Sequence, residues 1–317
     1  MSALTNAFLN CEYQYVRITG NGISITSDNI IEGRLQIDRT CTSSKLIELG
    51  STIASDLTVV LDNSAGTYDN VSFVGQELFV ELGCDLNGTI TYLPCGVYVV
   101  DTAPRKQIQL ILKAMDRMIT LDHSYNFNLN DNITVEDLIA LICTDRNITC
   151  LTDVTNLPNY DYEVSAEYLN EYTGTMRQLI GWCAFLMGTC AMFDGNGQLV
   201  FKWFINTGES YDESKRVTGD LYESNNAILG IVYTDSNGNV TSIGNDQRAI
   251  AYNNCGILSV DDDMDIVLNN IYSAITGFTY RPFTATVLPS PWLYPLDVVT
   301  YVKDGTSYTG ADRKSVV

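Results

Sequence analysis

Residues 290–299 read SPWLYPLDVV, and how this stretch is read decides the fold. The chain holds seven prolines, yet Pro282, Pro289, Pro291 and Pro295 fall within one window of fourteen residues. Directly after them, Val298-Val299-Thr300-Tyr301-Val302 reads as a strand. Proline fixes φ and biases the residue before it away from the helical region. The cluster is therefore a stiff corner that lowers the entropy cost of aiming the next strand. Pro291, Trp292, Pro295 and Asp297 are its candidate structural residues. A corner of this kind answers a structural demand rather than a catalytic one.

Outward from that corner the pattern is mainly β. Upstream, FTYRPFTATVL reads as a strand, and DDDMDIVLNNIYSAITG before it as one amphipathic helix over 262–276. Met264, Val267, Leu268, Ile271 and Ile275 line its apolar face, and Gly277 ends it. Downstream, a hairpin turns at Asp304-Gly305, and the final GADRKSVV shows no strand period and reverses the acidic bias.

From Tyr13 to about Asp122 the chain reads as short strands. YVRIT and ISIT flank Gly20-Asn21-Gly22, and DLTVVLDN puts Leu57, Val59 and Leu61 on one face. ELFVELGCDLNGTITYLPCGVYVVDT predicts a strand, a turn at Asn87-Gly88, a second strand, and a corner at Pro94 leading into a third. Ile108, Leu110 and Leu112 share a face in the strand after that. The middle segment is different. Thr134 stands three residues before Asp137, and Val135, Leu138, Ile139 and Ile142 follow at helical spacing. A second helix from Thr175 carries Met176, Leu179, Ile180, Cys183 and Met187, with Gly188 as its stop and a hairpin at Asp194 to Gly197 behind it. The expected division is a first β domain over 1–125, an α/β insertion domain over 126–210, and a second β domain over 211–317, the short strands suiting a barrel or a sandwich and the β-barrel being the form the resemblance below implies for both. VGQELFVELGCDLNG and YPLDVVTYVKDG also echo each other, each a turn, an acidic residue, a long apolar strand and a polar hairpin.

Composition narrows the function. A formal charge of −20, from 38 acidic and 18 basic residues, argues against gripping a nucleic-acid backbone or an anionic membrane. The most apolar stretch, 179–193, is shorter than the roughly 20 residues a spanning helix needs. The N-terminal MSALTNAFLN lacks the cationic start and long apolar core of a signal peptide. Nine cysteines without a Cys-x-x-Cys, and a single histidine, speak for buried reduced thiols rather than a zinc site.

Sites for chemistry are sparse. His123, at a strand end, has no Gly-x-Ser-x-Gly or His-Glu-x-x-His motif to work with. Asp261, Asp262, Asp263 and Asp265 suggest calcium, but acidic residues at a helix start favour capping and the positive end of the dipole. The DGNGQL loop lacks the twelfth-position glutamate of a calcium loop, where Ile205 stands instead. No phosphate loop or dinucleotide fingerprint occurs, so no metal, cofactor or catalytic residue is assigned.

The run GFTYRPFTATVLPSPWLYPLDVVTYVKDG resembles a segment of the tail hub and tail-tip proteins of tailed bacteriophages and related contractile particles. There a helix leads to a Tyr-x-Pro strand, then a Gly/Pro-Trp-Leu-x-x-Gly-Asp turn, a strand and a polar hairpin. Tyr280, Pro282, Pro291, Trp292, Leu293 and Asp297 match it, while Leu296 stands where glycine is usual, so a different turn geometry is expected. LPCGVYVVDTAPRKQIQLILKAMDRMITLD and TGTMRQLIGWCAFLMGTCAMFDGNGQLVF are similar to earlier family segments in the same order. The resemblance implies a homotrimeric structural hub, two tail-tube-like barrels per chain facing a hexameric tube, and a lumen that passes DNA. Its implied partners are the tail tube or a distal tail ring, the tape-measure protein, and a spike or tip protein. It implies a place in the virion tail after assembly in the host bacterial cytoplasm, without sequence-specific nucleic-acid binding or stable membrane insertion. A tail-associated peptidoglycan hydrolase and a host-carbohydrate-binding tail module remain alternatives. Family members usually continue with further strands after the last hairpin; the short ending here suggests a last barrel completed by another chain, or a truncated or frameshifted sequence.

Overall fold

The computed structural model of the chain describes residues 3–11, 13–20, 22–41, 48–259, 264–288, 290–312 and 314–316. It is mainly β. A short helix α1 (Ala3–Asn10) precedes β1 (Tyr15–Gly20), β2 (Ile23–Thr26), β3 (Ile30–Thr40), β4 (Ser55–Asp62), β5 (Glu77–Leu86), β6 (Thr89–Thr102), β7 (Arg105–Lys106) and β8 (Gln109–Asp116). These pair in the order β2-β1-β5-β6-β8-β4-β3, every pair antiparallel, with β7 folded back on β8. Period-two alternation explains the sheet. Leu57, Val59 and Leu61, Leu78, Val80 and Leu82, and Leu110, Leu112 and Ala114 all turn to one core, which Phe8 of α1 closes. At the β5–β6 turn, Asn87 and Gly88 adopt φ of 56° and 84°, the left-handed pair a two-residue hairpin needs.

Several sequence expectations shift here. Pro94 does not break the chain into two strands; β6 runs through it. Cys95 becomes an extra residue where Val80 pairs Gly96 and Glu81 pairs Pro94, a β-bulge that tolerates the missing proline N–H. Ile108 does not join the inward face; it lies in the turn before β8, 56% exposed. β3 escaped the sequence reading because Gly33 and four charged residues interrupt its alternation.

The central elements are β9 (Ile133–Thr134), α2 (Val135–Asp145), β10 (Glu163–Val164), α3 (Ala166–Glu171), α4 (Met176–Leu186), β11 (Cys190–Phe193) and β12 (Leu199–Lys202). Thr134 caps α2 by accepting from the Asp137 N–H, and Thr175 caps α4 by accepting from the Gln178 N–H, at 3.1 and 3.2 Å. Every residue from Leu179 to Leu186 is buried, so α4 is a core helix on all sides. Gly188, with φ 66°, ends it.

The remainder comprises β13 (Ile205–Tyr211), β14 (Arg216–Leu221), β15 (Asn226–Ala227), β16 (Gly230–Thr234), β17 (Val240–Gly244), β18 (Ala249–Asn253), α5 (Met264–Ile275), β19 (Thr279–Tyr280), β20 (Phe283–Val287), β21 (Asp297–Lys303), β22 (Thr306–Ala311) and β23 (Lys314–Val316). They form small sheets, β13-β21-β22, β14-β20, β15-β19 and β17-β16-β18. The expected strand over 278–288 is interrupted by Arg281-Pro282 into β19 and β20. α5 turns Val267, Leu268, Ile271 and Ile275 inward, and Ile231 of β16 joins the same core as α2 and α4. The expected aspartates 261–263 and Pro289 lie outside the described residues. The ending, expected to have no strand character, forms β23. It pairs antiparallel with β3, Lys314 opposite Thr40 and Val316 opposite Asp38, and so adds a strand to the first sheet.

Candidate functional site: the buried joint at the Pro-Trp corner

The corner sits where the first sheet, the β11–β12 hairpin and the β21–β22 hairpin meet. Its turn is built from Tyr294 to Asp297. The Asp297 N–H donates to the Tyr294 carbonyl at 3.0 Å, and the Tyr294 N–H donates to Asp297 Oδ2 at 2.8 Å. Leu296 takes φ 70°, the left-handed conformation that glycine adopts without cost. The leucine thus keeps the glycine-like turn, contrary to the different geometry expected of it. Its side chain is fully buried with Cys41, Ile53, Cys190, Met192 and Tyr280, and that burial offsets the strain.

Pro291, Pro295 and Asp297 are buried at this joint. Trp292 is half-buried and faces two ways. Its ring meets Phe8 edge-on at 6.1 Å, within the first-sheet core, and it also packs on the small cluster of Tyr211, Leu293 and Val299. The tryptophan therefore ties two units together rather than anchoring one.

The residue that organises the joint is Arg39, which sequence reasoning missed. It is 1% exposed. Nη1 donates to the carbonyls of Pro291 and Leu293 at 3.1 and 2.9 Å, and Nη2 to the Cys95 carbonyl at 2.9 Å. The guanidinium lies 4.1 Å over the Tyr294 ring. A signal was present: in β3, Leu35, Ile37, Arg39 and Cys41 alternate on the inward face, and a charge in that register needs a buried partner. The β6 bulge supplies one by turning the Cys95 carbonyl inward.

Around Arg39 the other charges balance. Lys202 of β12 pairs with Asp297 at the head of β21, and both are nearly enclosed. Asp312 follows β22; its N–H donates to the Asp297 carbonyl at 2.8 Å and its carbonyl accepts from the Leu296 N–H at 2.7 Å. Burial and the neighbouring Asp297 push the Asp312 carboxyl up to about 6, against the opposing pull of Arg39 and Lys202. Burial holds the Tyr294 phenol up at about 12, so it stays neutral. Gly195, at the β11–β12 turn, lies where a Cβ would come 2.4 Å from the Pro94 carbonyl, so the DGNG turn serves as a close contact with the β6 bulge.

The other candidates are not gathered here. His123 is exposed, and its backbone carbonyl accepts from the Met176 N–H at 3.0 Å. Among the described residues no group of three or more His, Cys, Asp or Glu is arranged for a metal. None of the nine cysteines is in a disulfide and only Cys11 and Cys150 are less than buried; burial raises Cys143 and Cys190 to about 12. Among the described residues no helix is long and apolar enough to cross a membrane.

No protein-family model matches the chain. No curated protein matches it in sequence. Tail proteins are among its solved structural neighbours. The 43 kDa tail protein of prophage MuSo2 from Shewanella oneidensis matches with TM-score 0.58 at 13% identity, over 96% of this chain and 94% of that one. The tail protein from Neisseria meningitidis MC58 matches with TM-score 0.55 at 10% identity, over 96% and 92%. Prophage tail protein gp18 from Listeria monocytogenes EGD-e matches with TM-score 0.52 at 12% identity, over 95% and 90%. The chain therefore has the fold of phage tail proteins.

Proposed function

We propose that this chain is a structural component of a phage tail: a non-enzymatic hub at the distal end of the tail tube. In this reading it assembles as a homotrimer whose two β modules per chain, 1–125 and 211–317, bracket the 126–210 insertion. Three chains then present six similar modules to a hexameric tube, with DNA passing through an acidic lumen. Its partners are the tail tube or distal ring, the tape-measure protein and a spike or tip protein. It acts in the virion tail after assembly in the host cytoplasm.

The observation that carries this reading is a likeness in fold to tail proteins over nearly the whole of both chains. Two further features support it. The echoed segments both form antiparallel hairpins with a left-handed turn, at Asn87-Gly88 and at Asp304-Gly305. The Arg39 joint fixes the direction of β21 relative to the first sheet, as a module matching its neighbours in a ring requires. Pro291, Trp292, Pro295 and Asp297 are structural in this role.

The test is the mass and shape of the purified chain by light scattering and electron-microscope class averages. A three-subunit ring with six-fold-like density is the expected result. A chain that stays monomeric even with its tube protein, or that cleaves purified cell wall in a manner abolished at His123, overturns it.

A further inference from the structure

We propose that β18 is a docking edge for an extended, uncharged polar peptide from a partner protein, which would add a strand alongside it. β18 is an outer strand of the sheet β17-β16-β18. It runs parallel to β16 in unbroken register, from Gly230 opposite Ala249 to Thr234 opposite Asn253. About half of its N–H and C=O groups therefore point away from β16. Among the described residues no backbone hydrogen bond is made to that outer side. Sheet edges are ordinarily blunted by charge, proline or a bulge. The sequence Ala-Ile-Ala-Tyr-Asn has none of these.

This edge is recessed. All five residues of β18 line a cleft of about 1550 Å³, larger than the ~300–1,000 Å³ of ordinary small-molecule pockets. A chain segment fits such a volume. The lining also includes Gly50 to Ala54, held to β11 by bonds from the Ile53 N–H to the Ala191 carbonyl and from the Ala191 N–H to the Ser51 carbonyl. Within the lining, the Tyr252 ring is held by stacking on Phe185 at 3.8 Å.

The lining sets the chemistry of the occupant. Gln178, Asn226, Gln247 and Asn253 offer neutral amides, and Glu48 and Asp56 offset Arg177 and Arg248, so the lining carries no net charge. Arg177 also lines the cleft, but it is held by Thr52 and Asp122. The cleft thus suits neither a polyanion nor an apolar helix. A neutral extended peptide meets both the amides and the regular backbone spacing of about 3.3 Å per residue along β18. This inference stands whether or not the chain proves to be a hub.

A displayed library of random ten-residue peptides, selected on the purified chain, supplies the probe. The expected result is retained neutral peptides that slow amide exchange at Ala249 to Asn253. N-methylation at alternate peptide residues should weaken binding by about tenfold or more in one phase and little in the other, since only one phase donates to the edge. Ala251→Lys, at an exposed position of the strand, should weaken it similarly. The proposal is overturned if no peptide is retained, if protection falls elsewhere, or if both methylation phases act alike. It is equally overturned if a neutral oligosaccharide, and no peptide, protects β18.

Discussion

At the scale of single residues, Leu296 and Arg39 show how a side chain can hold a backbone where it would not otherwise go. Leu296→Gly relieves about 1–2 kcal/mol of left-handed strain but gives up a fully buried leucine, typically about 2–5 kcal/mol. A net loss of about 1–3 kcal/mol in urea unfolding is expected; a stabilised variant would mean that strain, not burial, dominates the turn. Arg39→Met leaves three carbonyls and the nearby carboxylates without their cation and should cost about 3–5 kcal/mol. Arg39→Lys should recover only part, because an ammonium cannot span the same three acceptors. Asp312 adds a pH signature. Its folded carboxyl sits at about 6, above the unfolded value near 3.8. Its contribution to stability is therefore fully present below the unfolded value and lost as pH rises through about 6. Melting curves between pH 4 and 8 should show this slope in the parent and a flatter one in Asp312→Asn.

At the scale of elements, the outcome shows what a local pattern can reveal. The helices at Thr134 and Thr175 and the hairpins at Asn87-Gly88 and Asp194–Gly197 were legible, because caps, turns and periodicity are written in adjacent residues. β3 and β23 were not. β3 hides its alternation among charges, and β23 is a strand only because β3 lies beside it. The site was half legible for the same reason: Pro291, Trp292, Pro295 and Asp297 stand together in sequence, whereas Arg39 and Lys202 reach them only through the fold. The β6 bulge gives an element-scale test. Gly96 has φ 145°, and a Cβ there would come 2.5 Å from the Tyr98 ring, so Gly96→Ala should cost at least about 3 kcal/mol. A smaller loss would show that the Cys95 carbonyl can be presented to Arg39 in another way. Trp292→Ala should cost about 3 kcal/mol, with faster amide exchange in both α1 and β21. Exchange confined to β21 would remove its role as a tie.

At the scale of the whole molecule, the units are unequally provisioned. The first sheet and the α2–α4–α5 region each enclose a broad apolar core, whereas among the described residues the cluster beneath β13, β20 and β21 is Tyr211, Leu293 and Val299 with a few half-buried neighbours. Hydrogen exchange should therefore be fastest in β14 and β20 and slow markedly on assembly with neighbouring subunits. No slowing in a reconstituted tail tip would detach that unit from the ring contacts proposed for it.

The joining of β23 to β3 also says something about the order of events in folding. The Lys314–Asp38 pair spans 276 positions, and the Arg39–Leu293 bond spans 254. Loop closure over such distances is entropically slow, and it comes after the local hairpins have formed. Throughout that interval the outer rim of β3 is bare, able to accept whichever strand arrives first, from its own chain or from another being made beside it.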